Sequence, residues 1–140
     1  MKNVFIDSDV ILDVLINRRY FYQDSASILS LCAVRQLQGY TTALVFANIY
    51  YILRKMHSKK LALKSIRKLQ PMLEVIPLSS EHVEQALNSD FTDFEDALQN
   101  YSAEDRGVEA IITRNISDYK HSSIPVFTPA TFLKLLRKPE

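Results

Sequence analysis

Apolar positions along this chain follow two rhythms, short unbroken runs and longer stretches that recur every three or four residues, and the two take turns. Residues 2–6 end in Val4-Phe5-Ile6 and stop at Asp7-Ser8-Asp9, as a short buried strand does. Residues 10–16 predict a short helix with Asp9 as a candidate cap, and Asn17-Arg18-Arg19 a loop. Asp24 or Ser25 is placed to cap a second helix, whose apolar positions Ile28, Leu29, Leu31, Cys32 and Leu37 keep helical spacing up to Gly39 as its stop. Residues 40–42 predict a strand, and residues 43–57 a helix with Phe46, Ile49, Tyr50, Leu53 and Met56 on its inner face. A helix from Ser58, with Leu61, Ile66 and Leu69 inward, ends before Pro71. A strand over Leu73–Ile76, a helix opening at Ser79-Ser80-Glu81 and a helix over Phe94–Arg106 stopped by Gly107 follow. Ala110–Ile112 and Val126–Phe127 read as strands, and Thr128-Pro129 starts a last helix.

Strands separated by helical crossovers imply an α/β fold, a central parallel sheet with helices on both faces in three layers. No repeat, linker or low-complexity segment divides the 140 residues, so a single domain over residues 1–140 is expected. Two glycines are too few for a turn-rich sandwich or barrel. The apolar start is too short for a signal peptide, and no later run is long enough to span a bilayer. One cysteine, Cys32 on an apolar helix face, excludes an internal disulfide and reads as an inert core thiol in a reducing, cytoplasmic setting.

A net charge of +1 says little about partners, but its distribution says more. Arg54, Lys55, Lys59, Lys60, Lys64, Arg67 and Lys68 form a stretch without an acid, and Lys134, Arg137 and Lys138 add a basic tail. Alone, such a stretch is a solvated helix surface; beside an acidic site it suits a polyanion held by its phosphates. Three acidic positions supply that site: Asp7 at a strand end, the cluster Asp90-Phe91-Thr92-Asp93-Phe94-Glu95-Asp96 at a helix start, and Asp118 after Ala110–Ile112. In open α/β sheets ligands gather at the carboxyl ends of strands. Carboxylates brought there from three segments repel one another unless a proton or a divalent cation neutralises them. Hard oxygen donors favour Mg²⁺ or Mn²⁺ over zinc, and His57, His82 and His121 are scattered and expected at the surface. Each acid also has a plainer role: a cap for Asp9, a helix start for Asp90 and Asp93, an Asx turn for Asp118, and solvation for Asp13.

Taken together, Val4-Phe5-Ile6-Asp7-Ser8-Asp9-Val10, Asp93-Phe94-Glu95-Asp96-Ala97-Leu98-Gln99 and Ile111-Ile112-Thr113-Arg114-Asn115-Ile116-Ser117-Asp118-Tyr119 resemble the PIN domain, in its order and over nearly the whole chain. The resemblance is nearest to the small bacterial PIN proteins of the VapC toxin type. It implies a metal-dependent endoribonuclease with Asp7, Asp96 and Asp118 as metal ligands, Mg²⁺ or Mn²⁺ as cofactor and Asp93 as a further catalytic acid. It also implies polar support from Asp9, Asn48, Thr113 and Asn115, an RNA substrate, a small antitoxin partner and a homodimer. Asn48 departs from the pattern, since the family's helix usually carries a glutamate there. An amide removes one negative charge, so a PIN module that binds RNA or a protein without cutting is the alternative. Asp7-Ser8-Asp9 also resembles the start of haloacid-dehalogenase-type phosphatases, but too little chain follows Thr113 for their later lysine and acidic motif. The aromatics Tyr20, Phe21, Tyr22, Tyr50 and Tyr51 suit base stacking, or more ordinarily a core or a dimer face.

Overall fold

The computed structural model describes residues 2–138. Five strands, β1 (Asn3–Ile6), β2 (Gln38–Thr42), β3 (Leu73–Ile76), β4 (Ala110–Ile112) and β5 (Val126–Phe127), form one parallel sheet in the order β3-β2-β1-β4-β5. Helices α1 (Ser8–Leu15) and α2 (Tyr22–Ala33) link β1 to β2, and α3 (Ala43–Met56) and α4 (Lys59–Leu69) link β2 to β3. The chain then crosses back through α5 (Ser80–Leu87) and α6 (Phe94–Arg106) to β4, and α7 (Pro129–Arg137) follows β5. Because parallel crossovers keep one hand, reversing the direction of travel moves the crossover helices to the opposite face.

The core follows that division. Val4, Ile6, Ala110 and Ile112 point into the layer of α1–α4 and α7, among Ile11, Ile28, Ile49 and Phe132. The intervening Phe5, Tyr40, Ile76 and Ile111 point toward Ala103 of α6 and Tyr119. Ala86 of α5 packs on Ala97 and Leu98 of α6. The expected three-layer α/β/α fold with a parallel sheet is therefore present, and every predicted strand is found.

Local expectations failed in five places. Asp7, not Asp9, caps α1, its side chain accepting from Ser8 N. Neither Asp24 nor Ser25 caps α2, which starts a turn earlier with Phe21 in the cap position and no side-chain cap. Ser25 is drawn inward instead and donates to Asp13 Oδ2 at 3.0 Å. Gly39 does not stop a helix: α2 ends at Ala33, and Gly39 lies inside β2, where an added Cβ would stand 2.6 Å from Leu73 Cδ2 and 2.8 Å from Cys32 Sγ. Met56 and Leu61, expected inward, are about half exposed at the α3–α4 turn, where the described residues leave the helix ends partly open to solvent. His82, expected at the surface, is buried, with Nδ1 accepting from Ser79 N in a capping box and Nε2 3.1 Å from Asp105. Cys32 is buried as expected, and burial pushes its thiol up to about 12.

Candidate active site

The strand order turns outward in both directions from β1 and β4, so the crevice above their carboxyl ends is the switch point where such sheets bind ligands. Asp7 leaves β1 there and Thr113 leaves β4, and the two ends are tied together: Asp7 N donates to Ile112 O at 3.0 Å and Thr113 Oγ1 lies 2.9 Å from Asp7 Oδ2. The same hydroxyl is 3.2 Å from Asp9 Oδ2, so its one proton serves both carboxylates. Asp9 Oδ2 also accepts from Arg114 N and Asn115 Nδ2, both at 3.0 Å, while Asn115 N donates to Thr113 Oγ1. Thr113, Asn115 and Asp9 thus form one polar bracket beside Asp7. Asp9 Oδ1 is buried without a partner.

The second acid comes from the opposite layer. Asp93 caps α6, accepting from Asp96 N at 2.9 Å, which is the plainer role weighed for it. Asp96 stands in the first turn of that helix, where Asp7 acts on it electrostatically. Burial first, then the charges of Asp7, Asp93 and Asp118, push the Asp96 carboxyl up to about 7. Burial, then Asp9, pushes Asp7 up to about 6 against the hydrogen bonds it receives, and burial also raises Asp9. Asp118 is exposed and touches neither carboxylate directly, reaching the group through its charge on Asp96. Among the described residues no three acids already converge as a finished metal cage. The set consists of hard oxygens, with three raised carboxyl groups, on Asp7, Asp9 and Asp96, and one orphaned buried carboxylate oxygen, on Asp9. This chemistry fits a hydrated divalent ion held by one or two carboxylates.

Several participants were missed in the sequence. Tyr119 is buried at 1% exposure, its hydroxyl 3.4 Å from Asp96 Oδ1 and accepting from Gln99 Nε2 at 3.1 Å. Because Gln99 occupies the hydroxyl as donor, the tyrosine's own proton is left for Asp96. Asp13, weighed as a solvated acid, is fully buried and holds Arg18 Nη1 at 3.5 Å and Arg114 Nε at 2.9 Å, the latter close but not aligned as a hydrogen bond. Arg114 therefore joins two acids, by its backbone to Asp9 and by its side chain to Asp13. Asn48 does not touch Asp7 or Asp96; its Nδ2 donates to Glu95 Oε2 at 3.1 Å. Only the spacing Ser79-x-x-His82 and the run Asp93-Phe94-Glu95-Asp96 offered sequence signals for such pairings; Gln99 and Tyr119 offered none. The basic side chains from Arg54 to Lys68 are all exposed.

Comparison with known proteins gives the chain its kinship. The PIN domain family model matches residues 3–117. Ribonuclease VapC1 of Aquifex aeolicus (strain VF5) is 30% identical over 136 residues, covering 94% of this chain and 93% of that protein. A toxin–antitoxin complex from Klebsiella pneumoniae contains a chain that superposes with a TM-score of 0.66 at 20% identity, covering 90% of this chain and 97% of its own. VapBC2 of Rickettsia felis, bound to a DNA fragment from its promoter, superposes with a TM-score of 0.71 at 14% identity over 89% of this chain and 97% of that one. The likeness in structure carries the fold, and the family match and the sequence identity carry the kinship: the chain belongs to the PIN domain family.

Proposed function

We propose that this protein is a divalent-metal-dependent ribonuclease of the VapC toxin type, centred on Asp7 and Asp96. The observation that carries the reading is the opposition of these two acids across the switch point, each with its carboxyl group pushed far above the ordinary range. Two carboxylates so placed repel each other and are relieved by a shared cation. Asp7 and Asp96 would hold Mg²⁺ or Mn²⁺, with Asp118 and Asp93 reaching it through water. Bound there, the ion supplies Lewis acidity at a phosphodiester and a more acidic water for in-line attack. The protein's own part is positional: Thr113 steadies Asp7, Arg114 N and Asn115 steady Asp9, and Tyr119 donates to Asp96. The exposed basic face of α3 and α4 attracts a polyanion by its phosphates.

The amide at Asn48 favours a module that binds without cutting. Against it stands the Asn48–Glu95 hydrogen bond, which keeps a carboxylate beside the amide. A small antitoxin belongs to the proposal, supported by a chain of like fold in a toxin–antitoxin complex from Klebsiella pneumoniae; a homodimer is proposed with it on the family resemblance alone. The test is cleavage of a mixed structured RNA pool by purified protein in Mn²⁺, Mg²⁺ or EDTA, beside Asp7→Asn and Asp96→Asn. Metal-dependent cutting lost in both variants is expected. RNA binding without cutting in any metal would hand the reading to the non-cleaving module.

A further inference from the structure

The loop between α1 and α2 holds a tyrosine in a position that packing does not explain. Tyr20 is 85% exposed, yet its backbone sits at φ 76°, in the left-handed region that a tyrosine adopts only at a cost. A buried ring would offset that strain with contacts; this ring has Arg19, whose guanidinium lies 5.4 Å from its centroid. Beside it, Phe21 is 44% exposed, with the Arg114 guanidinium 4.1 Å from its centroid. Between Tyr20, Phe21, Asp24, Arg114 and the Thr128-Pro129 start of α7 is an open pocket of about 260 Å³.

Arg114 also fixes where this pocket lies. Its backbone N–H donates to Asp9 Oδ2, and Asp9 shares the Thr113 hydroxyl with Asp7. One residue therefore forms part of the pocket wall and of the bracket around the candidate active site. The charges around the pocket nearly balance: Asp13 faces Arg114 and Arg18, and Asp24 lies in the wall. Arg19 has no carboxylate partner among the described residues. Aromatic rings, a guanidinium 4.1 Å over the centre of one of them and nearly balanced charge match the face of a nucleobase better than a phosphate. A volume below the usual range for whole drug-sized ligands fits a single ring system. A protein helix would need a continuous apolar face, and Arg19, Asp24, Arg114 and Thr128 interrupt this one.

We propose that Tyr20, Phe21 and Arg114 form a stacking subsite for one unpaired base of the RNA strand, next to the phosphate to be cut. The proposal rests on the ribonuclease reading and deepens it by naming the residues that would hold one unstacked base near the cleavage point.

The test uses the full chain, a fluorescein-labelled mixed-sequence single-stranded RNA of roughly twelve nucleotides, and EDTA to prevent cutting. Tyr20→Gly relieves the backbone strain, so its melting temperature should equal or exceed that of the parent, while its RNA affinity should fall about five- to thirtyfold. Tyr20→Trp introduces the only tryptophan of the chain, and its emission should be quenched by the RNA but not by inorganic polyphosphate. Unchanged affinity in Tyr20→Gly, or equal quenching by polyphosphate, would overturn the subsite, and a protein-docking role for the loop would then be the reading to pursue. Loss of affinity in a protein that cuts no RNA in any metal would keep the subsite and refute the nuclease. Normal cutting with unchanged affinity in Tyr20→Gly would do the reverse.

Discussion

Replacing Asp96 by asparagine should make the metal-free protein more stable at pH 8 while destroying its site. The Asp96 carboxyl is raised from 3.8 to about 7 by burial and by the charges of Asp7, Asp93 and Asp118. In the unfolded chain that group ionises near pH 4. Between about pH 4 and pH 7 the folded protein thus binds more protons than the unfolded one, and stability falls as pH rises through this window. A displacement of about three pH units corresponds to roughly 4 kcal/mol as an upper limit. Solvent screening of a group only about half buried reduces this to roughly 1–2 kcal/mol. Asp96→Asn removes the ionisation and keeps an oxygen to accept from Tyr119. Urea unfolding in EDTA should therefore show the variant equal to the parent near pH 4 and about 1–2 kcal/mol more stable at pH 8. The slope should shrink rather than vanish, because Asp7, raised to about 6, still titrates. Mg²⁺ should reverse the gap by stabilising only the parent, by about 2.7 kcal/mol at a hundred times its dissociation constant. Parallel pH profiles for parent and variant, with no crossover on adding Mg²⁺, would refute the electrostatic account of the site.

Three further outcomes are expected. Tyr119→Phe keeps the ring but removes the hydroxyl between Gln99 and Asp96, so Mn²⁺ affinity measured by calorimetry should weaken and stability should fall by about 1 kcal/mol; unchanged metal affinity would make the tyrosine a packing residue only. Asp13→Ala strands Arg114 and the buried Ser25 hydroxyl, and should cost about 3–5 kcal/mol in denaturant unfolding, with a loss under 1 kcal/mol counting against the network. Gly39→Ala drives a methyl into Leu73 and Cys32 and should cost about 1–3 kcal/mol, partly recovered in combination with Leu73→Ala; a silent Gly39→Ala would mean the strand moves freely there.

The layers of the fold were legible because apolar runs and helical spacing report which faces are buried, and here each face has one partner layer. Asp7 was legible for a related reason: an acid that ends a buried strand has few places to go. The failures share a cause, in that local chemistry was overruled by contacts far away in sequence. Ser25 looked like a cap and was turned inward by Asp13. Gly39 looked like a helix stop, but Cys32 and Leu73 require it to lack a side chain. Asp9 looked like the cap of α1, while the loop after β4 holds it as the anchor for Arg114 and Asn115. Gln99 and Tyr119 gave no signal, because the bonds from Gln99 to Tyr119 and from Tyr119 to Asp96 exist only once α6 lies over the loop after β4.

The bond between Thr113 and Asp7 joins residues 106 positions apart. During synthesis Asp7 is made well before its partner, and every residue between the two must be translated first. β1, the strand that carries Asp7, cannot pair with β4 before then, and contacts so distant in sequence form late in folding. A ribosome making this protein therefore carries an incomplete acidic site until Thr113 has been made. Chains that terminate early, before Thr113, carry Asp7 and Asp96 but lack the bracket that sets them. In a protein that cuts RNA, that order of events delays the hazard until β4 and the loop after it have been made.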